Sequence, residues 1–156
     1  MNSNSLSTLN QNIILNMKNI CPKCYKNPKA HSFKLLETSL NIPVFYTSPG
    51  EAEDYADSNG ILTHYENMLK IYGNQEWIWV FNCNNLEIKH SLELNTARRV
   101  ATLISEKYYN IKQIYVLNSN FIFNIILNIV YPFLDEKIKD LIITTDKLPF
   151  EANIYF

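Results

Sequence analysis

Cysteines and histidines are the residues of this chain whose types and spacing could do chemistry. Cys21-Pro22-Lys23-Cys24 has the spacing of one zinc knuckle, in which two thiolates approach a metal from a tight turn. A complete site needs four ligands, and the other candidates, His31, His64, Cys83 and His90, lie far away along the chain. A second copy of the chain could also complete the set by donating its own cysteine pair. A thioredoxin-like redox pair would open a helix after a strand, and neither element is evident beside Cys21. The sequence alone therefore assigns no metal and reads the pair as free thiols in a polar loop that runs on to His31. Three cysteines make an odd count and a poor disulfide framework, which favours a reducing, cytoplasmic compartment.

Other chemistry is absent by pattern. No G-x-S-x-G, H-E-x-x-H or paired-carboxylate arrangement occurs, and the histidines lack catalytic spacing. Glu51, Glu53 and Asp54 cluster where a helix is expected to begin, where negative charge serves the helix dipole. Three glycines leave no room for a glycine-rich phosphate loop, and a net charge of -1 lacks the basic excess of a nucleic-acid binder. The expectation is a protein that is not an enzyme, with no catalytic residue and no resident cofactor.

The elements that must position any site follow from hydrophobic patterning. At 156 residues and 47% apolar content the chain suits one domain with a substantial core. Residues 1 to about 20, with one apolar cluster at Ile13, Ile14 and Leu15, read as a polar tail or a short docked helix; the division expected is 1–32 for tail and loop, 33–156 for the domain. The N-terminus lacks the basic opening and clean apolar run of a signal peptide. The longest apolar stretch, 121–134, is broken by Asn124, Asn128 and Pro132 and falls short of the roughly 20 residues of a bilayer span. A soluble protein is expected.

Residues 33–37 and 43–47 suit short strands. Ser48-Pro49-Gly50-Glu51 carries helix-start signals, predicting a helix or broken pair over 51–72 with a break at Ser58-Asn59-Gly60. Trp77–Phe81 is continuously apolar and reads as a strand covered on both faces. Ala97, Val100, Ala101, Ile104 and Tyr108 form one buried stripe of a helix between Ser91 and Tyr109. Residues 113–117 and 141–145 read as further buried strands. Strands alternating with helices predict an α/β layered domain with a partly parallel sheet. Most of the tyrosines and tryptophans interleave with strand residues, which suits core packing or the wall of a ligand pocket.

Residues 120–131 stand apart. Asn120, Asn124 and Asn128 make one narrow polar stripe, and every other position is bulky and apolar. A helix lying on a sheet needs an apolar face of a little over about 100°. Either this helix is buried between layers, or it packs on one side and meets a lipid, a membrane or a partner subunit on the other. Pro132 ends it.

These segments together resemble the CRAL-TRIO lipid-binding domain. WIWVFNCNNLE resembles that family's buried strand and polar turn, with Asn82 in place of the usual Asp. SLELNTARRVATLISEKYYNIKQIYVLN resembles its next helix, corner and strand ending in Asn, here Asn118. NFIFNIILNIVYPFLDEKIKDLIITTD resembles its gate helix, Pro-Phe-Leu corner, short helix and closing strand. The likeness covers residues 33–146, most strongly 77–146. Departures are a short polar tail where a helical bundle is usual, an early stop at Phe156, and a corner, Tyr109–Lys112, without proline. In that corner the chain is similar to the Rho-GAP and BCH-type branch, some of whose members bind proteins.

The resemblance implies a mixed, partly parallel sheet with helices on one face and an apolar gate helix over a lipid pocket. It implies pocket residues Trp79, Phe81, Val100, Ile104, Tyr115, Leu117, Phe121, Ile125, Ile126, Ile129 and Phe133. Phe121, Ile125, Ile129 and Phe133 would form the movable wall. Val100, Ile138 and Leu141 stand where the yeast-type branch has the Glu, Thr and Lys of its inositol site, which puts that headgroup mode in doubt. Lys112, Lys137 and Lys139 would instead hold an anionic lipid at the membrane surface, as cations do in the tocopherol-transfer branch, with a solvated surface as the plain alternative. The chain is thus expected to be a minimal stand-alone carrier, cytoplasmic and transiently at membranes, holding a phospholipid, phosphoinositide or other hydrophobic ligand. The alternatives are a protein-interaction module, as a homodimer or adaptor, and a zinc-stabilised adaptor.

Overall fold

A computed structural model describes residues 20–154. The expected tail over residues 1–19, including Ile13–Leu15, lies outside the described residues. A five-stranded sheet has the order β1 (Lys34–Leu35), β3 (Val44–Thr47), β4 (Trp77–Asn82), β5 (Ile111–Leu117), β6 (Ile142–Thr145). β1 pairs antiparallel with β3, and the other three pairings are parallel. A two-stranded antiparallel sheet joins β2 (Glu37–Thr38) to β7 (Ala152–Asn153). The chain is thus mixed α/β with a partly parallel sheet, as the patterning predicts.

Six helices are described: α1 (Pro22–Lys26), α2 (Ser58–Tyr72), α3 (Ile88–Ser91), α4 (Leu94–Lys107), α5 (Phe121–Val130) and α6 (Glu136–Lys139). Because β3 to β6 follow one another across the sheet without reversal, right-handed crossovers put α2, α4 and α5 on the same face. Strand alternation divides the core accordingly. Phe45, Trp77, Trp79, Ile114 and Val116 meet the helices. Val44, Tyr46, Ile78, Val80 and Leu117 form a second cluster, with Leu148, Phe150 and Ile154 of the C-terminal segment packed on it. This is why WIWVF is apolar at every position.

Four local expectations differ from the structure. Ser48-Pro49-Gly50-Glu51 does not open a long helix; it makes one 3-10 turn, Pro49–Glu51, without a side-chain cap from Ser48. The amides of Glu53 and Asp54 donate to the carbonyls of Lys29 and Ala30, which pulls the chain off the helical path. The helix starts where a break was expected: Asp57 is the N-cap and accepts the Gly60 amide at 3.3 Å. Residues 141–145 contain an edge strand, not a buried one, with Ile143 44% exposed. The supposed loop after Cys21 holds the short helix α1, with Cys21 as its N-cap.

Candidate functional site

Between the helix-covered face of the sheet and helices α2, α4 and α5 lies an apolar hollow. Its free volume is about 180 Å³. Its floor is Trp79 and Phe81 of β4 with Ile114 and Val116 of β5. Helix α4 contributes Thr96, Ala97, Val100 and Ala101; helix α5 contributes Phe123, Ile126, Leu127 and Val130. The i, i+3, i+4, i+7 spacing of that last set is one face of a helix. Asn120 starts α5 by accepting the Phe123 amide on its side-chain oxygen at 3.0 Å, which fixes where the helix begins.

The polar groups at this hollow are few. Thr47 Oγ1 accepts from Trp79 Nε1 at 2.9 Å and pairs with the Tyr65 hydroxyl at 3.0 Å. Burial raises the Tyr65 hydroxyl, so it stays protonated. Tyr55, His90, Glu93 and Thr96 also line the hollow. His90 Nδ1 accepts the Glu87 amide at 2.9 Å, its ring lies 4.7 Å from that of Tyr55, and burial lowers its pKa. Thr96 Oγ1 is buried with no hydrogen-bond partner among the described residues.

Of the pocket residues inferred from the resemblance, Trp79, Phe81, Val100 and Ile126 line the hollow. The others do not. Ile104 is fully buried in the packing of α4 on the helix-side core. Tyr115 and Leu117 belong to the cluster on the opposite face of the sheet, since alternate strand residues face opposite ways. Phe121, Ile125 and Phe133 are 66%, 42% and 44% exposed, and Ile129 is half-buried outside the hollow. The inferred gate stripe is therefore out of phase, and the wall facing the hollow is Phe123, Ile126, Leu127 and Val130. A usable signal was present. At about 100° per residue, Ile126 sits opposite the Asn124–Asn128 stripe, with Ile122 and Val130 beside it.

The expected headgroup cations lie on two elements that meet where Ile114 donates to the Leu141 carbonyl. Lys112 is exposed near the start of β5 and Lys137 is exposed on α6. Lys139 is already committed: its ammonium lies 2.7 Å from Glu136 and 4.6 Å from the Tyr131 ring centre. Sequence reasoning missed Arg98, whose guanidinium stands 5.7 Å from the Phe133 ring centre beside the end of α5. Helix α3 packs beside α5, and its Ile88 and the following cap residue Leu92 are 64% and 77% exposed, so several apolar side chains reach solvent around the gate.

A second constellation assembles against α2. Cys21, Cys24, His31 and His64 are all buried, and their potential ligand atoms lie within 4.8 Å of one another. Burial pulls the His64 imidazole down to about 4. Cys83 is elsewhere, buried after β4, where burial pushes its thiol up to about 12. Among the described residues no helix is long and apolar enough to cross a membrane.

Comparison with known proteins gives the following. The model of the CRAL/TRIO domain family matches residues 10–151. The fold is similar to the crystal structure of Sfh5, with a TM-score of 0.57 at 16% sequence identity, over 90% of this chain and 59% of that one. At that identity the likeness shows the fold. No curated protein matches the sequence.

Proposed function

The chain belongs to the CRAL/TRIO domain family, a family of lipid-binding domains, and from that premise we propose that it holds a hydrophobic ligand under α5 and exchanges it at membranes. The observation that carries this is the two-sided helix. Phe123, Ile126, Leu127 and Val130 border a hollow, while Phe121 and Ile125 on the same ten residues meet solvent. An apolar ligand satisfies the inner face, and the interfacial zone of a bilayer satisfies the outer one.

Exchange then follows from physics already present. Helix α5 stops at the 3-10 turn Tyr131–Phe133, where Pro132 cannot continue it, and the proposed displacement pivots there. Displacing it opens the hollow towards the membrane that its outer face has engaged. The ligand class is a phospholipid, with an anionic headgroup such as a phosphoinositide attracted by Arg98, Lys112 and Lys137. The proposed cycle makes and breaks no bond: the reading is of a carrier with its lipid as the one ligand, placed in the cytoplasm as its free cysteines favour.

The test is lipid extraction. Purified protein is analysed by mass spectrometry for co-purified lipid, and transfer of labelled phosphatidylcholine and phosphatidylinositol between vesicles is timed. Stoichiometric lipid with accelerated transfer supports the proposal, and neither above background overturns it. The rival occupant of the outer face is a second copy of the chain. Light scattering distinguishes the two: a stable dimer masking Phe121 and Ile125 favours an interaction module.

A further inference from the structure

We infer that Cys21, Cys24, His31 and His64 bind one zinc ion in a closed, four-coordinate structural site, independent of the lipid reading. The four side chains come from three places: α1 and its cap, the loop before β1, and the middle of α2. They are 4%, 1%, 1% and 3% exposed. Cys21 Sγ lies 3.3 Å from His31 Nδ1, and Cys24 Sγ lies 3.4 Å from His64 Nδ1. In a tetrahedron with ordinary zinc–sulfur and zinc–nitrogen bonds, neighbouring S and N ligands stand about 3.6 Å apart. The observed separations are close to that, and all four donors converge on a single centre.

The surrounding hydrogen bonds orient the ligands. His64 Nε2 lies 2.8 Å from the Phe33 carbonyl oxygen, which can only accept, so the proton is on Nε2 and the Nδ1 lone pair faces Cys24. His31 Nε2 lies 2.9 Å from Asp57 Oδ2, a carboxylate that accepts in the same way and leaves Nδ1 free towards Cys21. Remote nitrogens held by a carboxylate and a carbonyl are the usual support of metal-ligating imidazoles. The Cys24 amide also points at Cys21 Sγ, at 3.4 Å, within the C-x-x-C turn.

Two thiolates and two neutral imidazoles form a soft set that suits zinc over magnesium or calcium, and the two thiolate charges cancel the ion's. Among the described residues no further Cys, His, Asp or Glu joins these four, which suits a structural role. The ion would clamp residues 21–31 onto α2, whose Ile61 and Tyr65, either side of His64, line the apolar hollow.

The experiment is metal analysis of the full chain, expressed without a histidine tag and purified without chelators. One zinc per chain is expected. Cys24→Ser and His64→Gln should each lower that content at least tenfold, whereas Cys83→Ser leaves it unchanged. Stripping the metal should lower Tm by about 10 °C, with zinc restoring it. Cobalt(II) added to the stripped protein should give the intense visible bands of a tetrahedral thiolate site. If the ligand variants fail to fold, the zinc content and cobalt spectrum of the unsubstituted chain still decide. A metal-free protein that keeps its Tm in chelator and gives no tetrahedral cobalt bands overturns the assignment. So does zinc retained by both ligand variants.

Discussion

Replacing Ala101 by leucine separates a real hollow from a tightly packed core by the sign of its effect. Ala101 is 5% exposed and lines the hollow from α4. Leucine adds three carbons, which at about 0.8 kcal/mol per buried methylene contribute up to ~2.4 kcal/mol. Freezing the new side chain costs about 0.5–1 kcal/mol, leaving a net gain of roughly 1.5 kcal/mol. For a domain of this size that raises Tm by about 3–6 °C. In a close-packed interior the same insertion costs about 1–3 kcal/mol instead. The space taken is lost to the ligand, so lipid affinity should fall by up to about 50-fold, the equivalent of the same three methylenes. The assay is thermal unfolding of lipid-stripped protein, with lipid binding to the same preparations titrated by fluorescence. A lower Tm together with unchanged lipid affinity would refute the reasoning, because it would mean that no ligand space lies beside Ala101 in solution.

Phe121→Asp should leave stability within about 0.5 kcal/mol, since Phe121 is 66% exposed, while vesicle binding and lipid transfer fall at least tenfold. Lys137→Ala should weaken binding to vesicles containing anionic lipid by about fivefold at low salt and leave neutral vesicles unaffected. Thr47→Val removes the acceptor of Trp79 Nε1 and the partner of the Tyr65 hydroxyl; urea unfolding should show a loss of about 2 kcal/mol. Cys83, buried and pushed up to about 12, should resist iodoacetamide at pH 8 in the native protein and react at once in denaturant.

The order of β3 to β6 and of the long helices between them was legible because each signal was local; α1, α3 and the β2–β7 pair were not read. WIWVF is apolar throughout because both faces of β4 are covered, and the Ala97–Tyr108 stripe is one face of α4. The fate of Ser48–Glu51 was not legible, since a helix-start signal cannot report that the Lys29 and Ala30 carbonyls will capture the Glu53 and Asp54 amides. Residues 141–145 misled for a similar reason: a run of β-branched residues does not say whether a neighbour covers it. On α5 the composition showed the two-sided character, and the structure turns Phe123, Ile126, Leu127 and Val130 to the hollow and Phe121 and Ile125 outward.

What the sequence by itself determined is an α/β chain with a partly parallel sheet and one helix too apolar for an ordinary surface. Periodicity encodes those features within a dozen residues at a time. Only the tertiary structure decided which half of α5 borders a hollow, and that Lys139 is spent on Glu136 and Tyr131. It also brought His31 and His64 to Cys21 and Cys24. Those relations depend on crossovers that carry residues distant in sequence onto the same face of the sheet, and no local pattern records where a crossover lands.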